Sequence, residues 1–276
     1  MTDADAAADA AAVPEVAAVA DADAPAVPES LVARARALAA RDGRALLGIA
    51  GAPGAGKSTL AARLVAQWGE GAVVVPMDGF HLAQGELERL GRAARKGAPD
   101  TFDSAGFVAL LRRLRESGAG QAREARGGEA REVGADDDGR TGAVVVGETV
   151  SAPEHHRDLH HAVAVGETVW APEYRRDLHH AVAGAIAVGP EVRLIVVEGN
   201  YLLCDEAGFA SVRGLLDEVW FCELDTEVRI ERLVARHVAS GKEPGAARAW
   251  VLGSDERNAE LVAASRGRAD VVVPMS

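Results

Sequence analysis

The stretch Gly51-Ala52-Pro53-Gly54-Ala55-Gly56-Lys57-Ser58 constrains this chain more than any other. Its spacing is that of a phosphate-binding loop, in which glycines let backbone N–H groups turn inward onto phosphate oxygens. Lys57 supplies a point charge for the outer phosphates, and Ser58 a hydroxyl for Mg2+. The flanks fit the chemistry. Ala45 to Ala50 is a short apolar run suited to a buried parallel strand. Leu60, Leu64, Val65 and Trp68 then recur at helical spacing. A helix beginning at the loop aims its N-terminal dipole at the bound anion.

Two carboxylates follow apolar runs further along. Ala72 to Met77 predicts a second strand that ends in Asp78-Gly79-Phe80-His81, and Val192 to Val197 a third that ends in Glu198-Gly199-Asn200-Tyr201. In open α/β sheets ligands bind at the carboxyl edge of the strands, where both acids are expected. Asp78 could accept the proton of a substrate hydroxyl or hold a Mg2+ water; as a bland alternative it only caps a turn. Glu198 suits an acid near Mg2+ or, more simply, a capping acid. Asp217 to Leu224 and Asp270 to Val273 read as the remaining strands.

The helices are bounded by capping signals. Ser30 is the expected N-cap of a helix over Leu31 to Ala40. Asp103 or Ser104 caps one that carries Phe107, Leu110, Leu111 and Leu114. Thr226 caps one that carries Arg229, Arg232 and Arg236; Gly241 and Pro244 end it, and another helix runs from about Ala246 to Ala264. Arg232 and Arg236 share a face, suited either to closing over a transferring phosphate or to plain solvation.

The chain is long enough for one α/β domain with additions, and 48% of it is hydrophobic. Its net charge of −12 is unevenly spread. Residues 1–30 hold seven acids and no Lys or Arg, which leaves about −5 for the rest. Residues 1–29 have almost no large apolar side chain and read as a disordered acidic tail. Nothing resembles a basic nucleic-acid footprint, and no apolar run reaches the roughly 18–20 residues a membrane span needs. No signal peptide is apparent, and Cys204 and Cys222 form no disulfide framework, so a cytoplasmic location is expected.

Residues 118–146 read as a flexible insertion, and a tandem repeat follows. Val146 to Val163 recurs, with changes, as Val165 to Val182, one copy expected inside the fold and the other looped out. The repeat brings His155, His156, His160, His161, His179 and His180. Duplication multiplies histidines without selecting for a metal, and no Cys accompanies them, so a solvated polar segment is the simpler reading. A P-loop GTPase that delivers metal remains the alternative class, although no Asn-Lys-x-Asp segment for guanine is present.

Four segments in order carry a family resemblance: Gly51 to Ser58, Met77 to His81, Arg95 to Asp103, and Val197 to Leu203. With Arg236-His237 and Ser254 to Ala259, they resemble the phosphoribulokinase/uridine kinase family of P-loop kinases, particularly its bacterial nucleoside/nucleotide kinase branch, related to bacterial pantothenate kinase. The resemblance covers residues 31–117 and 165–276. It implies an α/β fold of three layers, α/β/α, around a mostly parallel five-stranded sheet. The kinase domain then spans residues 30–276, interrupted at about 118–164. By resemblance, Gly51, Gly54, Ala55, Gly56, Lys57, Ser58 and Thr59 bind the phosphates of ATP, and Ser58 and Glu198 hold Mg2+. Lys57, Asp78, Glu198, Arg232 and Arg236 serve catalysis. His81, Lys96, Phe102, Tyr174, Arg176, Asn200 and Tyr201 border the acceptor together with Asp78. The expected reaction moves the γ-phosphate to a hydroxyl of a small molecule: a nucleoside first, pantothenate or a sugar next. A homodimer is compatible with this family.

Overall fold

The computed structural model describes residues 26–127, 167–178 and 180–276. The acidic tail to residue 25, the first repeat copy and all repeat histidines except His180 lie outside the described residues. In chain order the elements are α1 (Glu29–Ala39), β1 (Ala45–Gly51), α2 (Lys57–Trp68), β2 (Ala72–Pro76), α3 (Gln84–Arg89) and α4 (Ser104–Gly127). Then come β3 (Val169–Arg175), β4 (His180–Val188), β5 (Leu194–Gly199), β6 (Glu218–Glu223), α5 (Thr226–Ala239), α6 (Pro244–Trp250), α7 (Glu256–Ala264) and β7 (Val271–Pro274).

A five-stranded sheet runs in the order β2-β5-β1-β6-β7, and every pairing in it is parallel. Both faces are covered, and period-two alternation divides the side chains between them. Leu46 and Ala50 of β1, with Ile195 and Val197 of β5, join the core that includes Phe107 and Leu111 of α4. Leu47 and Ile49, with Leu194 and Val196, join the core formed with α1 and α2. This is the expected three-layer α/β/α architecture. Strand β1 has β5 on one side and β6 on the other, so its carboxyl end opens into a crevice between crossovers that leave in opposite directions.

Several local expectations are corrected. Helix α1 begins two residues earlier, with Pro28 at the N-cap; the Pro28 carbonyl accepts from Leu31 N at 2.9 Å, and Ser30 lies inside the first turn. Asp225 rather than Thr226 caps α5, accepting from the backbone N–H groups of Glu227 and Val228 at 2.9 and 3.2 Å. Its carboxylate reaches two orphan donors, whereas Thr226 is already helical. Helix α4 continues to Gly127, so the first ten residues of the expected flexible insertion are helical. The long final helix is interrupted by a π-helical turn over Val251–Asp255. The second repeat copy supplies β3 and the first residues of β4 in an antiparallel hairpin, with a bulge between Ala171 and Glu173. Among the described residues no helix is long and apolar enough to cross a membrane.

Candidate active site

The phosphate loop leaves β1 at Gly51 and enters α2 at Lys57. Its glycines are needed for shape. Gly54 and Gly56 have φ of +80° and +91°, where a side chain is strained. A Cβ on Gly54 would also come within 2.8 Å of Leu233 Cγ, so α5 packs directly against the loop. Lys57 is buried and folds back to donate to the Ala52 carbonyl at 3.0 Å. Burial holds its ammonium pKa below the ordinary lysine value, with Glu198 acting in the opposite direction.

Glu198 occupies β5 beside β1, in register with Ile49, and is buried. It accepts from Ser58 Oγ at 3.2 Å. Burial, reinforced by the charge of Asp78, raises its carboxyl pKa to about 7, against the pull of Lys57. Asp78 lies in the 3-10 turn Met77–Phe80 that follows β2, half-buried. Its charge is felt by Lys57, Glu198, His81 and Arg236, so it lies within electrostatic range of all four.

The hairpin β3–β4 is seated on this turn. A Cβ on Gly79 would approach the Pro172 carbonyl oxygen to 2.4 Å, so only glycine admits the hairpin so close to Asp78. His81 thereby meets two aromatic rings, Phe102 at 4.0 Å and Tyr174 at 5.1 Å between centroids. Its Nδ1 lies 2.9 Å from the Asp78 carbonyl, and burial keeps its ring below the ordinary histidine pKa. Lys96 Nζ donates to Tyr174 Oη at 3.1 Å. Tyr201 is buried and donates to the Gly97 carbonyl at 2.5 Å, with burial pushing its phenol pKa upward. Phe102 is also buried, so Phe102 and Tyr201 support the loop from beneath. Asn200 is half-buried in the turn after β5.

Helix α5 closes the crevice from the other side. Gly54, Gly56, Lys57, Ser58, Thr59, Arg176, Arg232 and Arg236 surround a cavity of about 260 Å³ at the phosphate loop. Arg232 also donates to the Ser276 carbonyl at 2.8 Å. Arg176 and Arg236 border, in addition, a larger cavity of about 940 Å³ that extends to Lys96 and Tyr174. Arg236 is open to water along that wall and crowded by protein elsewhere; crowding, then the nearby Arg176, lowers its pKa.

One contributor escaped the sequence reading. Arg229, on α5, is buried, pairs with Glu256 of α7 at 2.6 Å, and lies 3.5 Å from the Pro53 carbonyl. It ties α5 to the phosphate loop. Its helical spacing from Arg232 and Arg236 could have flagged it, but nothing in the sequence shows which arginine faces inward.

Ser58 and Glu198 offer hard oxygen ligands 3.2 Å apart next to the phosphate loop, a donor set that fits Mg2+ completed by water and nucleotide phosphates. Among the described residues no group of three or more His, Cys, Asp or Glu could hold a metal by itself.

No family model matches the chain. Individual relatives do. A solved structure from Silicibacter sp. TM1040, provisionally named a fructose transport system kinase, is 33% identical, superposes with a TM-score of 0.64, and is covered over 98% of its length and 88% of this chain. The chain belongs to the phosphoribulokinase/uridine kinase family of P-loop kinases. An ATP-dependent kinase-like protein of Aspergillus versicolor, notR', is 29% identical over 204 residues, 72% of this chain and 93% of the relative. A protein of Schizosaccharomyces pombe provisionally named uridine kinase C227.14 is 27% identical over 222 residues, 77% of this chain and 74% of the relative. This P-loop kinase is an ATP-dependent phosphotransferase with a hydroxyl acceptor.

Proposed function

We propose that the crevice transfers the γ-phosphate of ATP to a hydroxyl of a small metabolite the size of a nucleoside, pantothenate or a sugar. The observation that carries this reading is the hydrogen bond from Ser58 to Glu198, which joins the loop's hydroxyl to the strand-end acid beside a buried Lys57. Residues Gly51 to Thr59 hold the donor phosphates through backbone N–H groups. Lys57, Arg232 and Arg236 spread positive charge around the transferring group. Such preorganised charge accounts for most of the catalysis in phosphoryl transfer. Asp78 orients the acceptor hydroxyl and accepts its proton. Ser58 and Glu198 hold Mg2+, which neutralises phosphate charge when bound. His81, Lys96, Phe102, Tyr174, Arg176, Asn200 and Tyr201 shape the acceptor side. We place the kinase domain at residues 30–276, interrupted between the end of α4 and about residue 164, with the acidic tail outside it, and its working compartment in the cytoplasm.

The relatives are named as kinases, not as metal chaperones, and so favour transfer over a GTPase that delivers metal. The test is incubation with Mg2+ and ATP against a panel of hydroxyl-bearing metabolites, with products identified by mass. A product heavier by one phosphate, lost on chelation with EDTA and in Glu198→Gln, supports the reading. Hydrolysis of GTP in preference to ATP, with no phosphorylated product, would contradict it.

A further inference from the structure

The larger cavity carries a charge opposite to that of the chain. The protein has a net charge of −12, yet the wall of this cavity holds Lys96, Arg176, Arg236 and Lys242 against Asp177 and Asp255. Both acids are engaged. Asp177 is held by Arg175 at 2.9 and 3.0 Å, and Asp255 lies 3.0 Å from His237 Nε2. Lys242 sits over the Trp250 ring at 4.9 Å. Among the described residues no ion pair joins Lys96, Arg176 or Arg236 to a carboxylate.

Arg176 and Arg236 border both cavities and can serve the donor phosphates. Lys96 borders only the larger one, so its charge faces the acceptor. Its ammonium sits on Tyr174 Oη, an oxygen brought from a hairpin 78 residues further along the chain. An ammonium has three donors, and a phenol can give its own O–H. One ammonium donor is spent on Tyr174; the others and the phenol O–H remain for a ligand. A neutral acceptor would leave a half-buried charge without a counterion, whereas an oxyanion would satisfy it with charge-assisted bonds.

We infer that the acceptor bears an oxyanion, a carboxylate or a phosphate, beside its reacting hydroxyl, and that Lys96 and Tyr174 bind that oxyanion. This rests on the phosphotransferase reading above and selects among its acceptors. A hydroxy acid or a sugar phosphate fits, and an uncharged nucleoside does not.

Matched pairs test it: hydroxy acids against their amides, sugar phosphates against the free sugars, and neutral nucleosides, each assayed for transfer and titrated calorimetrically in the presence of a non-hydrolysable ATP analogue. Loss of one charged hydrogen-bond donor set is worth ~10–100-fold in affinity. The charged member of a pair should therefore be preferred by about that factor. Lys96→Met should erase the preference while KM for ATP stays unchanged, and Tyr174→Phe should reduce it. Carboxylate and phosphate pairs tell the two sources of the oxyanion apart. Anion binding that Lys96→Met abolishes, without transfer to any compound, would keep the oxyanion site at Lys96 and Tyr174 but overturn the phosphotransferase reading and, with it, the anion's role as acceptor. Neutral nucleosides bound or phosphorylated as well as any anion would overturn the inference and leave the kinase standing.

Discussion

On the proposed assignment, the phosphate side and the acceptor side of this crevice are built differently. The phosphate loop is eight consecutive residues between one strand and one helix, and its geometry follows from local sequence. The acceptor side is assembled from the loop at 95–103, the hairpin β3–β4 and helix α5, segments that meet only in the folded state. The first is backed by strands buried on both faces, the second by a two-stranded sheet that pairs only with itself. Local geometry makes the phosphate side intolerant of change. Distributed assembly leaves the acceptor side adjustable, because each segment can vary while the others hold their place. The difference suits a family whose members share a donor and differ in acceptor.

Substitutions on the two sides should therefore behave differently. The largest effect is expected for Lys57→Met, which removes the buried charge at the loop; transfer should fall by ~10²–10³-fold or more, read as kcat with saturating acceptor. Gly54→Val comes next. The φ of +80° and the 2.8 Å approach to Leu233 leave no room for its side chain. ATP binding should be lost, and the melting transition should drop by the equivalent of about 1–3 kcal/mol for the strained backbone. Arg229→Met is smaller and separates stability from chemistry. It leaves Glu256 without its partner, and because Glu256 is partly exposed the cost should be about 1–3 kcal/mol in denaturant unfolding, with KM for the acceptor unchanged. The smallest effect is expected for Arg175→Ala at the exposed end of β3, which should leave the melting temperature where it was. A large loss of stability there would mean that the hairpin is as rigidly integrated as the phosphate loop, and the contrast between the two sides would fail.

The same division explains what could be read from sequence. The five strands of the main sheet announce themselves as apolar runs, and Ala45 to Ala50 with Gly51 to Ser58 defines strand, loop and helix start together. Asp78 and Glu198 follow because each directly ends such a run. The hairpin was not legible. His180 to Val188 is mostly exposed and nearly half alanine, so it shows no buried run and only a weak alternation. Its seat against the turn around Gly79 is a tertiary contact that no local pattern announces. The cap at Asp225 lay one residue from the expected Thr226, because either side chain can serve and only the folded backbone selects. Arg229 could be seen on its helix, but its partner Glu256 is 27 residues away. The π turn at Val251–Asp255 has no signal in composition at all.

In the proposed function the two sides meet at Asp78, which acts on the acceptor and not on the donor. The most direct measurement is Asp78→Asn, with ATP binding titrated at equilibrium and phosphoryl transfer followed by mass in the same preparation. The account predicts ATP binding within a few-fold of the parent and transfer reduced by ~10²–10⁴-fold, the range for removing a general base. Transfer retained at the parent rate would remove Asp78 from the chemistry, and loss of ATP binding would move it to the phosphate side.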